Sequence, residues 1–206
     1  MRFAIIVPYR NREEHLHKFV AHIHEYLKGK EYDIYIIEQA DKLPFNRGRL
    51  LNAGVQIARG YDYYVTHDID MLPLDAKYDF PNEITHLAGR VEQFRWQLPY
   101  RDYMGGVVAF TSAQFKMCGG YPNDYWGWGG EDDALLKGIR TANMQVIRHP
   151  YRFLSLPHEP QDKGMRVENR QKLKEGRKSG DGYGYSIFKP VSFQLMDGYF
   201  LKRIAL

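Results

Sequence analysis

The chain has 206 residues, of which 44% are hydrophobic, 26% charged and 15% aromatic, with a formal net charge of +4. That length and balance point to one globular domain with a sizeable core and exclude a disordered or fibrous chain. The apolar run before Pro8 is only five residues long, too short for a signal segment, and no run elsewhere reaches spanning length, so no membrane span is expected.

Residues 3–7 (FAIIV) form a continuous apolar run ended by Pro8, the pattern of a buried parallel strand. Leu16, Phe19, Val20, Ile23 and Leu27 then recur at helical spacing. Residues 32–38 (YDIYIIE) read as a second strand. Residues 49–59 read as a second helix, with Gly60 as its cap, and residues 63–66 (YYVT) as a third strand. Strand, helix, strand, helix, strand predicts an α/β, doubly wound, mostly parallel sheet with a nucleotide site at the carboxyl ends of its strands. Residues 71–102 are loop-rich, with a short helix expected within 83–92. A strand at 105–110, helices at 112–117 and 131–141, and a strand at 145–148 follow. Residues 161–178 read as a polar helix, 179–186 as a glycine-rich segment, and 187–201 as one or two strands. The expected division is 1–110, 111–178 and 179–206, the last a C-terminal extension of one domain.

Most of the positive charge lies late in the chain, in Lys163, Arg166, Arg170, Lys172, Lys174, Arg177 and Lys178. It reads as a solvated helix face, not as a nucleic-acid surface. Cys118 is the one cysteine, so no intramolecular disulfide can form, which suits a reducing compartment such as the cytoplasm. A soluble catalytic domain without its membrane anchor is the other expectation.

Two motifs carry chemistry. Asp68-Ile69-Asp70 follows the third strand, and an Asp-x-Asp there can send one carboxylate to a divalent ion and the other to ribose. By itself an Asp-x-Asp is common and is more often a capped turn. Trp126 to Asp133 (WGWGGEDD) is more specific. Its glycines allow a loop to open and close, a Trp offers a stacking face for a sugar, and its acids can bind a hydroxyl and take its proton.

The stretches IIVPYRNREEHL (5–16), FNRGRLLNAG (45–54), HDIDMLPL (67–74), YMGGVVAF (103–110) and WGWGGEDD (126–133) resemble, in order and spacing, the β-1,4-galactosyltransferases of glycosyltransferase family 7. The resemblance is greatest to the branch that adds galactose to xylose. It covers roughly residues 3–175 and implies a GT-A-like fold and a UDP-sugar donor, a saccharide acceptor and Mn²⁺. By the same resemblance Pro8, Tyr9, Arg10 and Arg12 line the uridine and diphosphate pocket, and Phe45, Asn46 and Arg47 hold the nucleotide. Asp68 contacts the donor, Asp70 binds the metal, and Gly106 and Tyr103 border the donor sugar. Trp128 lies on the mobile loop, Glu131 binds sugar, and Asp132 is the base. The family's metal-binding histidine has two candidates. His158 is preferred over His149 on spacing, and Leu156 stands where relatives carry a further ligand. UDP-GalNAc and UDP-glucuronic acid are the alternative donors, and a non-catalytic sugar-nucleotide-binding module is the alternative class.

Overall fold

The structure, a computed structural model, describes residues 1–158, 164–176 and 184–206. β1 (Phe3–Tyr9), β2 (Tyr32–Gln39) and β3 (Tyr63–His67) run parallel, with β1 in the middle. Every residue of β1 is buried. A strand covered on both faces has no solvent side, hence the unbroken apolar run. Its side chains alternate between two cores. Phe3, Ile5 and Val7 pack with Leu16, Phe19 and Ile23 of α1 (Glu13–Tyr26), and Ala4 and Ile6 pack with Leu50, Leu51 and Ala53 of α2 (Arg47–Ile57). Burying each such side chain contributes about 1.5–3 kcal/mol, so the two faces together hold the sandwich.

Local chemistry sets the helix ends. The Asn46 side chain accepts from the Arg49 amide and caps α2. Glu13 and Glu14 meet the amino end of α1, where the helix dipole favours them. Gly60 adopts a left-handed φ of 85°, but the cap of α2 falls two residues earlier at Ala58, a shift from the expected glycine cap.

The central sheet has eight strands in the order β10-β11-β2-β1-β3-β7-β5-β8. β7 (Val107–Phe110) runs antiparallel to both β3 and β5 (Ile84–His86), while β8 (Val146–Arg148) runs parallel to β5. A second sheet joins β4 (Met71–Pro73), β9 (Arg152–Ser155) and β6 (Arg90–Val91). The helix expected within 83–92 is absent. Residues there form β5 and β6, then a short 3₁₀ turn at Glu92–Phe94. The reason is tertiary: β5 lies between β7 and β8, and the β-branched Ile84 and Thr85 suit that pleated, buried slot.

α3 (Ser112–Cys118) carries a reciprocal capping box between Thr111 and Gln114, and α4 (Glu131–Thr141) begins with three acids. α5 (Arg166–Glu175) lies within the polar segment expected to be helical. Residues 161–163 and 177–178 of that segment and 179–183 of the glycine-rich segment lie outside the described residues, as do Lys163, Arg177 and Lys178. β10 (Lys189–Met196) and β11 (Tyr199–Ala205) form a hairpin, and β11 pairs in parallel with β2, so the last residues extend the main sheet. Among the described residues no helix is long and apolar enough to cross a membrane.

Candidate active site

The carboxyl ends of β1 and β3, the amino end of α2 and the amino end of α4 converge. Their meeting point is Arg47. Its Nε donates to Asp68 Oδ1 at 2.7 Å, and its Nη1 donates to Asp132 Oδ1 at 2.6 Å and lies 3.6 Å from Glu131 Oε1. Its guanidinium sits 5.7 Å from the centre of the Tyr121 ring. Three acids from segments far apart in sequence are thus gathered on one cation. Burial opposes the Arg47 charge, but Asp132 and Asp68 more than offset it and hold Arg47 well above its usual range. Arg47 Nη2 is buried with no hydrogen-bond partner among the described residues.

The acids respond to burial. Burial pushes Glu131 up to about 8, with Asp132 beside it adding to the rise and Arg47 opposing it. Asp68 rises to about 6 for the same reason, again against Arg47. Asp70 goes the other way: burial would raise it, but the hydrogen bond and charge of His158 with Arg12 outweigh that and lower it.

His158 reaches Asp70 through backbone register. β4 and β9 pair Met71 with Ser155, and the Leu156 amide donates to the Asp70 carbonyl at 2.8 Å. Two residues on, His158 Nε2 lies 3.0 Å from Asp70 Oδ2, with Arg12 Nη1 at 3.5 Å. A carboxylate oxygen and an imidazole nitrogen meeting at this distance fit a borderline divalent ion such as Mn²⁺. Among the described residues no cluster of three or more histidine, cysteine or acidic side chains forms a complete cage. Leu156 packs against the apolar core. His149 stacks on Tyr151 with centroids 4.8 Å apart, and its amide donates to the His86 carbonyl.

The remaining expected residues surround this centre. Pro8 and Tyr9 end β1. Arg10 donates to the Leu43 carbonyl at 2.7 Å and lies over the Phe45 ring at 5.3 Å. The Phe45 carbonyl accepts from the Gly127 amide at 2.8 Å, tying the FNRG segment to the Trp loop. Gly106 has a left-handed φ of 89°, and a Cβ there would lie 2.6 Å from Met71 Sδ. Its carbonyl accepts from the Asp68 amide, so only glycine lets this backbone close against the Asp-x-Asp turn. Tyr103 packs edge-on against His86, Phe94 and Tyr100. Trp128 is 40% exposed, with the Arg166 guanidinium 4.8 Å from its ring centre.

Some members carried no sequence signal. Asn169 is buried on α5 and donates through Nδ2 to the Trp126 carbonyl at 2.9 Å and towards the Trp128 carbonyl at 3.4 Å. Tyr100 donates to Asp133 Oδ1 at 2.9 Å. Tyr121 and the buried His67, which lies 2.8 Å from the Tyr78 hydroxyl, support the centre from behind. A lone Asn in a polar helix looks like surface until the fold buries it.

The family described as the N-terminal region of glycosyl transferase group 7 matches residues 1–80, and the N-terminal domain of galactosyltransferase matches residues 85–159. Human β-1,4-galactosyltransferase 3 is 42% identical over 157 residues, covering 72% of this chain and 40% of that protein. The chain therefore spans about 40% of the length of the curated relatives it matches. The crystal structure of a variant of Drosophila β-1,4-galactosyltransferase 7, complexed with manganese, UDP-Gal and xylobiose, is 31% identical. It aligns over 100% of this chain and 94% of that one with a TM-score of 0.83. The catalytic domain of the same Drosophila enzyme with xylobiose gives 29% identity and a TM-score of 0.84. A mannosyltransferase from Pyrobaculum calidifontis, at 15% identity and a TM-score of 0.59, shares the fold alone. The fold is thus that of the GT-A glycosyltransferases, and the chain belongs to the β-1,4-galactosyltransferase family, glycosyltransferase group 7.

Proposed function

We propose that this chain transfers galactose from UDP-galactose to a sugar hydroxyl, with inversion at the anomeric carbon, in a Mn²⁺-dependent reaction. The observation that carries the proposal is the bridge of Arg47 between Asp68 and Asp132 beside the Asp70–His158 pair. One guanidinium ties the donor side of the site to its base. In this reading Arg47 Nη2, buried and without a partner among the described residues, donates to a diphosphate oxygen. Pro8, Tyr9, Arg10, Arg12 and Phe45 hold the nucleotide. Asp70 and His158 hold Mn²⁺, which when bound offsets charge on the diphosphate leaving group.

Asp132 takes the proton of the acceptor hydroxyl as that oxygen bonds to the anomeric carbon. The bond from the anomeric carbon to the UDP oxygen breaks on the opposite face, its electron pair leaves with UDP, and the configuration inverts through an oxocarbenium-like transition state. Glu131, kept protonated by burial, donates a hydrogen bond to a sugar oxygen. Trp128 and its flanking glycines cover the reacting sugars and exclude water. A xylose-type acceptor agrees with the xylobiose held by the Drosophila relative. A cytoplasmic setting is part of the proposal and rests on the single, buried Cys118.

The test is UDP release from UDP-galactose, UDP-GalNAc and UDP-glucuronic acid with Mn²⁺ across a set of acceptor monosaccharides. Acceptor-dependent release from UDP-galactose supports the transferase. Release indifferent to acceptor would make the chain a hydrolase, and UDP binding with no release would make it a binding module.

A further inference from the structure

We propose that Gln39 is a positioning residue for the nucleotide: its buried side chain shapes the bend between β2 and α2 that carries Phe45 and anchors Arg10. The proposal rests on the reading of Phe45 and Arg10 as residues that hold the nucleotide. Gln39 ends β2 and is 2% exposed. Its Oε1 accepts from the Asn46 amide at 2.9 Å. Its Nε2 donates to Asp41 Oδ1 at 2.8 Å, to the Pro44 carbonyl at 3.0 Å and towards the Leu43 carbonyl at 3.3 Å. One side chain thus ties both ends of the bend together. The neighbours fix which way the amide points, since an N–H faces one of its atoms and three oxygens face the other.

Leu43 and Pro44 lie past the end of β2 and before α2, where no ladder or helix takes up their carbonyls, and an unpaired backbone group costs free energy. Gln39 supplies a donor to both, and Arg10 Nη1 reaches the same Leu43 carbonyl at 2.7 Å. Asp41 braces the bend from the other side. Its Oδ1 also accepts from the Leu43 amide at 2.9 Å, its Oδ2 accepts from the Leu206 amide at 2.6 Å, and the Ala40 amide donates to the Ile204 carbonyl. Burial would raise the Asp41 carboxyl, but the hydrogen bonds from Gln39, Leu206 and Leu43 and the charge of Arg10 outweigh it and lower it. A hydrogen-bonded chain therefore runs from β11 through Asp41 and Gln39 to the Leu43 carbonyl and on to Arg10, whose guanidinium lies 5.3 Å from the centre of the Phe45 ring. A bend fixed before the nucleotide arrives does not have to be ordered by it, and that preorganisation appears as affinity. Arg47 depends less on Gln39, because Asn46 is also held through its own side chain by the Arg49 amide and the Asn123 carbonyl.

Gln39→Glu is the informative change: it keeps the size of the side chain and replaces the donating nitrogen by an oxygen that faces three other oxygens. Calorimetric titration of the whole chain with UDP and Mn²⁺ reads the affinity, steady-state kinetics give KM for UDP-galactose and kcat, and circular dichroism checks folding. Gln39→Glu should raise the UDP Kd and the KM about 10-fold, the scale of one lost buried hydrogen bond, and leave kcat within about 3-fold. Because Gln39 acts through Phe45, the same change in a Phe45→Ala background should alter UDP affinity by less than about 2-fold. A merely structural Gln39 would lower the urea midpoint and leave the UDP Kd of the folded protein unchanged. That result overturns the proposal, as do losses that multiply in the double variant. If Gln39→Glu does not fold, Asp41→Ala, at a half-exposed position, loosens the same bend and carries the same expectation, and UDP binding as tight as in the wild type overturns it. A wild type that does not bind UDP sinks the nucleotide reading and this proposal with it, whereas wild-type binding equalled by the variants overturns the positioning role alone.

Discussion

At the scale of single residues, the site divides its acids by their surroundings. Asp132 and Glu131 are neighbours on one helical turn, yet Glu131 is pushed up to about 8 while Asp132 holds the Arg47 charge at 2.6 Å. Asp132→Asn should lower turnover by at least about 10²-fold, the usual scale for loss of a general base, with UDP–Mn²⁺ affinity nearly unchanged. Near-normal turnover in that variant would remove Asp132 from the chemistry. The two histidine candidates give a paired measurement. His158→Ala should raise the Mn²⁺ concentration needed for half-maximal UDP binding, while His149→Ala, whose ring stacks on Tyr151, should leave it alone. The reverse pattern would reassign the ligand. Tyr103 concerns donor choice. Its ring is fixed by Tyr100, Phe94 and His86, and Arg148 donates to its carbonyl. If Tyr103 faces the donor as proposed, a ring held this firmly would crowd an N-acetyl group at the donor's second carbon, a preference of roughly 10- to 200-fold. Tyr103→Leu should gain activity with UDP-GalNAc relative to UDP-galactose, measured as a ratio of kcat/KM. An unchanged ratio would count against this role.

At the scale of elements, close approach decides what the sequence must be. α2 lies so near β1 and β2 that a Cβ on Gly54 would stand 2.2 Å from Ile6 Cγ2 and 3.0 Å from Ile37 Cγ1. The glycine carries a helix-propensity cost of about 1 kcal/mol and gains the contact that sets Arg47 at the head of α2. Gly54→Ala should therefore destabilise the chain by roughly 1–3 kcal/mol, the scale of overpacking, despite alanine's better helix propensity, and urea unfolding would register it. A stabilised variant would show that α2 can shift without strain. The same packing made α2 legible in the sequence, because its apolar positions recur at helical spacing. The β5–β6 region was not legible: its short strands gain their hydrogen bonds from partners distant in sequence. The Asp197–Gly198 pair between β10 and β11 is a hairpin turn whose signal is local and readable in the sequence.

At the scale of the whole molecule, the core contains titratable groups that work only when neutral. His86 Nε2 donates to the Gly105 carbonyl at 2.9 Å, and its Nδ1 accepts from Arg148 Nη1 at 3.2 Å. A second ring proton would face that guanidinium in the dry interior. Burial lowers His86 from 6.5 to about 4. The unfolded chain therefore takes up the proton first. The His86 contribution is full above pH 6.5 and is lost as pH falls toward 4, a change on the order of 3 kcal/mol. Glu131 and Asp68, both raised by burial, act in the opposite sense over the same window, so the readout is the difference between two proteins: urea unfolding followed from pH 7 to 4 should show His86→Gln losing less stability on acidification than the wild type. A parallel slope in that variant would place the acid sensitivity elsewhere.

The sequence by itself determined the alternating elements of the nucleotide half, the Asp-x-Asp turn and the Trp-Gly loop followed by acids. Those patterns are local, since a strand buried on both faces, an amphipathic helix and a glycine-rich loop each show in consecutive residues. The tertiary structure alone decided that Arg47, Asp68, Glu131 and Asp132 share one charge network. It also decided that β7 runs against β3, that Asn169 fastens the Trp loop, and that β11 closes onto β2. The histidine shows the division most clearly: spacing favoured His158, but only the β4–β9 register brings its Nε2 within 3.0 Å of Asp70. Contacts between residues 21 to 88 positions apart depend on how strands register and helices dock, and that information lies in the packing of the whole chain.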